Sequence, residues 1–184
     1  MYKLTNLALA MLMMLLLAAC GNDDETAPGD GLEDTWTVIS FDADVESTTM
    51  TQGQTIASVV DIVGGNMAYD LTLNGSEFTT AGDYEMTITS TVNGMTQTST
   101  DGYSDVTGGG SYSNDATTLT IDGSFFELEW NGIDLTSTGG EQTVDYAINA
   151  DDQLVISQND TSTTDANGIM ITTTVVSTSV WERK

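Results

Sequence analysis

Histidine is absent from this 184-residue chain. Without an imidazole the chain lacks the commonest general base and the commonest metal ligand, which excludes a Ser-His-Asp triad and any histidine-containing zinc site. Basic side chains are nearly absent too: Lys and Arg total 3 against 28 Asp and Glu, for a formal net charge of −25. Nucleic acid is held mainly by cationic groups that neutralise phosphates, so this balance argues against nucleic acid as a partner and against direct docking on anionic lipid. It favours solubility in salty surroundings. A single cysteine, Cys20, rules out an internal disulfide. The only proline is Pro28. The N-terminal apolar run, Leu7 to Ala19, is shorter than the roughly 20 residues that cross a bilayer, and the body of the chain has no helical stripe.

What the N-terminus does contain is one basic residue, Lys3, then that apolar run, then Ala18 and Ala19 leading into Cys20. The length suits the h-region of a secretory signal peptide. Leu17-Ala18-Ala19-Cys20 resembles the lipobox of bacterial lipoproteins. The resemblance implies a diacylglyceryl group on the Cys20 thiol, cleavage before Cys20 and acylation of the new amine by a palmitate-like chain. The membrane is then a partner through lipid on Cys20, since several chains hold stably where one holds weakly. The alternative is an ordinary signal peptide with a cysteine nearby. Asp23, Asp24 and Glu25 follow directly and resemble the surface-export signals of Bacteroidetes lipoproteins, which implies the outer face of the outer membrane. The same charges, with Pro28 and several glycines, equally suit a solvated tether. The chain therefore divides into a signal peptide at 1–19, a lipidated cysteine with an acidic tether at 20–33, and one domain at 34–184, the usual size for a single core.

Within the domain, apolar residues alternate with polar ones, the signature of strands. "MAYDLTLN" sets Met67, Tyr69, Leu71 and Leu73 on one face; "DYEMTITSTV" does the same with Tyr84, Met86, Ile88 and Val92. "TLTID", "FFELEW", "TVDYAIN" and "QLVIS" continue the pattern, and a long run ends at Trp181. Asn74-Gly75, Ala81-Gly82, Asn93-Gly94, Asp122-Gly123, Asn131-Gly132, Gly139-Gly140 and Asn167-Gly168 punctuate the runs; Asn-Gly and Asp-Gly are favoured in two-residue hairpins. The expected fold is all-β: an antiparallel up-and-down meander of eight to ten strands, closed as a barrel or stacked as a sandwich, with the hairpin succession favouring the barrel.

"LEDTWTVISFD", "AGDYEMTIT", "GGSYSNDATTLTID" and "VWERK" together resemble the lipocalin-like lipoproteins of Bacteroidetes, over most of Leu32 to Lys184. The resemblance implies a lipocalin-like β-barrel with Trp36 on its first strand, Arg183 packed on Trp36, and a small hydrophobic ligand in the barrel mouth. Lipocalins usually carry glycine two residues before that tryptophan; this chain has Asp34.

Candidate chemistry is sparse. Asp42, Asp44 and Glu46 share a side if extended and present oxygen ligands of the kind calcium takes, but they lack the glycine and spacing of a calcium loop; turns and solvated loops explain such acids equally. Glu127 and Glu129 alternate with Phe126, Leu128 and Trp130, so they read as the polar face of a sheet rather than as a hydrolytic pair. Tyr69, Tyr84, Phe126, Trp130 and Tyr146 fall on the inward set and are the candidate ligand-binding residues. A barrel of about eight strands either fills with side chains or holds one small ligand. The two functions in view are therefore a ligand-binding module and a surface interaction protein with a filled barrel. No enzyme activity, metal or cofactor is expected.

Overall fold

The apolar–polar alternation is realised as strands throughout the domain. The computed structural model describes residues 31–51, 53–126, 129–130, 133–134, 141–166 and 169–184. The expected signal peptide, Cys20 and the acidic run Asp23 to Glu25 lie outside the described residues, as do Glu127 and Leu128 and the side chains of Glu129 and Trp130. Eight strands form a closed barrel: β1 (Asp34–Thr51), β2 (Gln54–Asn74), β3 (Glu77–Val92), β4 (Met95–Asn114), β5 (Thr118–Asp122), β8 (Glu141–Ile148), β9 (Gln153–Ala166) and β10 (Ile169–Arg183). A small hairpin, β6 (Glu129–Trp130) and β7 (Ile133–Asp134), stands in the connection from β5 to β8. Every pairing is antiparallel and every barrel strand adjoins its neighbours in sequence, with β1 and β10 closing the ring. This is an all-β up-and-down meander of the lipocalin-like kind.

Local chemistry sets the turns and bends. Asn93 and Gly94 link β3 to β4 with φ of 50° and 80°, the two positive values that suit a tight hairpin to the twist of its strands. Ala81-Gly82, which reads as a turn in sequence, is instead a bulge inside β3. Gly82 has φ of 134° there, a Cβ would meet the Ala68 carbonyl oxygen at 2.2 Å, and the register with β4 slips between Gly82 and Tyr84. Such bulges bend a strand and let a sheet close. On the outer face, hydroxyls pair across β3 and β4: Thr87 with Thr100, Thr89 with Thr98 and Thr91 with Thr96, at 2.9 to 3.1 Å, a favourable cross-strand arrangement.

Strand lengths are unequal, and this shapes the lumen. Six strands run for 14 to 21 residues, whereas β5 and β8 have 5 and 8. β4 pairs with β5 only from Ser111 to Asn114, and β8 with β9 only through the stretch from Asp145 to Ile148. The short strands thus complete the ring at one end, here the closed end. The other six rise past them to the β1–β2, β3–β4 and β9–β10 hairpins at the open end.

The closed end is packed solid by Trp36, Leu71, Leu73, Leu119, Leu154 and Trp181, all 2% exposed or less. Leu32, which the sequence assigns to the tether, belongs to this core: it is 1% exposed and its carbonyl accepts the Trp36 indole N–H at 2.9 Å. The expected strand over "FFELEW" is not formed at its start. Phe125 and Phe126 are non-strand residues turned into the barrel, where both are buried.

Candidate functional site

On β1, Phe41, Ala43 and Val45 face the lumen, and the register brings Ile62 and Val60 of β2 beside Ala43 and Val45. Val175 of β10 flanks Val45 from the other side. These residues wall a cavity of about 350 Å³ in the open half of the barrel. Small and β-branched residues leave this space because none reaches the barrel axis. The aromatic residues that do reach it lie nearer the closed end.

The floor is the Phe125–Phe126 segment. Ser124 Oγ donates to the Phe126 carbonyl at 2.7 Å, the Tyr69 hydroxyl donates to the Phe125 carbonyl at 2.9 Å, and Gln142 Nε2 donates to the Gly123 carbonyl at 3.4 Å. With its backbone fixed this way, Phe126 meets Phe41, Trp181, Tyr69 and Tyr84 at ring distances of 4.7, 5.5, 5.6 and 5.7 Å. Offset and edge contacts of this kind add to the burial of the rings themselves.

Of the four candidate ligand contacts whose side chains are described, Tyr69, Tyr84, Phe126 and Tyr146, Phe126 alone lines this cavity. Tyr69 and Tyr84 are buried beneath it, 4.8 Å apart, with Tyr84 stacked on Tyr103. Tyr146 sits at the closed end, beside Leu32 and Thr117 in a separate shallow pocket; its hydroxyl donates to the Asp115 carbonyl at 2.7 Å and accepts from Asn114 Nδ2 at 3.2 Å. The backbone of Trp130 pairs with Ile133 in the small hairpin, and its side chain is outside the described residues. The cavity wall was open to reading from "FDADV". The alternation that places Asp42, Asp44 and Glu46 outside necessarily places Phe41, Ala43 and Val45 inside.

Those acids are exposed and away from the lumen. Across the β1–β2 pair Asp44 faces Asp61, and the Asp44 carboxyl, hydrogen-bonded to it, pushes the Asp61 pKa up. Among the described residues no three acidic or thiol groups converge to hold a metal ion.

At the closed end the Arg183 guanidinium carbon lies 4.3 Å from the Trp36 ring centroid, within the roughly 6 Å reach of a cation–π contact. Arg183 also donates to Asp34 at 2.6 Å, to Asp152 at 3.2 Å and to the Gly31 carbonyl at 2.9 Å. The hydrogen bond from Arg183 holds the Asp34 carboxyl below its ordinary pKa. Lys184 pairs with Asp70 at 2.6 Å. Burial raises the Asp70 pKa, but the bonds from Lys184 and Thr37 outweigh it and leave it lowered.

No protein-family model matches the chain, and neither does any curated protein. The class is therefore the one the fold defines: an eight-stranded antiparallel barrel with a packed closed end and a cavity in its open half.

Proposed function

We propose that the protein is a lipid-anchored bacterial cell-envelope lipoprotein, related to the lipocalin-like lipoproteins of Bacteroidetes, whose barrel binds a small hydrophobic ligand. The anchor reading rests on Leu17-Ala18-Ala19-Cys20 after a short apolar run, and the outer-membrane, outward-facing location on the acids behind it. The ligand reading is carried by one observation, the cavity of about 350 Å³ walled by Ala43, Val45, Val60, Ile62 and Val175. That volume lies within the usual range for small-molecule sites, which are mostly apolar with a few placed polar groups.

A second reading has its own support. Phe125 and Phe126 fill the middle of the lumen, as they would in an interaction lipoprotein with a plugged barrel and no small ligand. Native mass spectrometry of the full protein, purified from its own host, separates the two. A co-purifying small apolar molecule supports the binding module; a bare mass across independent preparations, with no uptake of added apolar compounds, supports the plugged barrel.

A further inference from the structure

The cavity has a polar side as well as an apolar one, and among the described residues none of the polar side chains that line it carries a charge. Its wall contributes Ser124, Gln142, Ser157, Gln158, Ser177 and Ser179. Ser124, Gln142 and Gln158 each donate one bond within the protein, and the Ser179 hydroxyl accepts from the Trp181 indole. The hydroxyl and amide capacity left over is neutral and suits an alcohol, a carbonyl or an ether. A carboxylate stands beside two of the lining residues. Asp160 stands opposite Val175 in the β9–β10 register, and its carboxylate accepts from Gln158 Nε2 at 2.8 Å. Among the described residues, positive charge is out of reach. Arg183 and Lys184 are at the closed end, each already paired with a carboxylate. The third basic residue of the chain, Lys3, precedes Cys20 and leaves with the signal peptide on the reading proposed above, and residues 127–140 contain neither lysine nor arginine.

Resting on the reading of the lumen as a ligand site, we propose that it discriminates by charge sign: it takes uncharged apolar molecules with a hydroxyl or carbonyl head and rejects anionic amphiphiles such as fatty-acid carboxylates. A carboxylate head drawn into the cavity loses water without gaining a cation, which is unfavourable. Held at the rim, it meets Asp160. An alcohol head meets neither cost, and an ammonium head of the same size meets an attractive rim.

The test is photolabelling of the full lipidated protein in zwitterionic lipid nanodiscs, using a diazirine-bearing decanol as the probe and mapping the labelled peptides. Decanol, decylammonium and decanoate compete at about pH 8, where the acid is fully ionised. Salt is set at about 0.5 M, so that the general field of the acidic surface is screened. The expected result is labelling on the β1, β2 and β10 stretches that wall the cavity. Decanol and decylammonium suppress it at similar concentrations, and decanoate needs at least about tenfold more, equivalent to roughly 1.4 kcal/mol. Gln158→Lys places a cation at the rim and brings decanoate back to within about threefold of decanol; Ser177→Lys is the second variant, with folding of each checked by circular dichroism. If decanoate competes as well as decylammonium on the unaltered protein, the sign rule is overturned while the ligand site stands. If the probe labels no residue of the cavity wall, the ligand reading itself falls.

Discussion

At the closed end of the β1–β10 seam, Arg183 gathers several contacts in one side chain: a cation–π contact with Trp36, ion pairs with Asp34 and Asp152, and a bond to the Gly31 carbonyl. A planar fork makes these contacts together, and a lysine ammonium does not. Arg183→Lys is expected to lower stability by about 1–2 kcal/mol, the sum of a partly shielded cation–π contact and exposed ion pairs, with a fall of several degrees in Tm. In a Trp36→Leu background the same change should cost less, and a thermal-melt double-mutant cycle measures the difference. A second residue-scale expectation concerns Asp61. Its pKa is raised by Asp44, so the native state holds that proton more tightly than the unfolded chain does. The stability tied to this group is then complete below the ordinary aspartate pKa of about 3.9 and is lost as pH rises through the higher native value. Asp61→Asn should therefore melt above the parent protein at pH 7, with the gain vanishing below about pH 4; melts across this range that stay parallel would refute the coupling.

At the scale of elements, the legible strands were those whose inward positions are large and apolar, such as Tyr84, Met86 and Ile88 of β3. β4 gives no such signal. In "MTQTSTDGYSDVTGGGSYSN" most residues are exposed, because from Met95 to Gly110 this strand pairs only with β3 among the described residues. With little apolar surface to cover, it needs no hydrophobic alternation, and Gly108, Gly109 and Gly110 serve close approach instead: a Cβ on Gly110 would meet the Asp122 carbonyl oxygen at 2.1 Å. Gly82 misled in the opposite sense, since a glycine that bends a strand looks in sequence like one that ends it. Gly82→Ala is expected to cost at least about 2 kcal/mol, from strain at its positive φ and the clash with Ala68, as urea titration would show. The candidate site was half legible for a related reason. Alternation identified inward residues but not their height along the barrel axis, so Tyr69, Tyr84 and Tyr146 were grouped with Phe126 although only Phe126 borders the cavity. Phe126→Ala is expected to destabilise the barrel by about 3–5 kcal/mol and, by lowering the cavity floor, to raise its uptake of a neutral apolar probe. A loss of uptake in a folded variant would mean that the ring is itself the main contact.

For the whole molecule, the lipid assigned to Cys20 would hold the barrel by its closed end, since the chain enters at Gly31 and Leu32 beside Trp36 and Arg183. The cavity would then open away from the membrane surface. Cys20→Ala should move the protein from the membrane fraction to the soluble or unprocessed pool, which fractionation and immunoblotting would report; unchanged membrane association would remove the anchor. The pairing of β1 with β10 also bears on how this molecule forms in time. The β1–β2, β2–β3, β3–β4 and β9–β10 pairs join adjacent segments through short loops and can assemble locally, each on its own fast clock. The seam from Trp36–Arg183 to Met50–Met170 joins the first strand to the last, and such distant pairing is slow because the loop entropy is lost before the contacts form. Until the final residues are synthesised, the ring has a gap at that seam, and the Trp36 indole has no guanidinium above it. The rate of reaching the native state is then governed by the meeting of the two chain ends, whatever the speed of the hairpins between them.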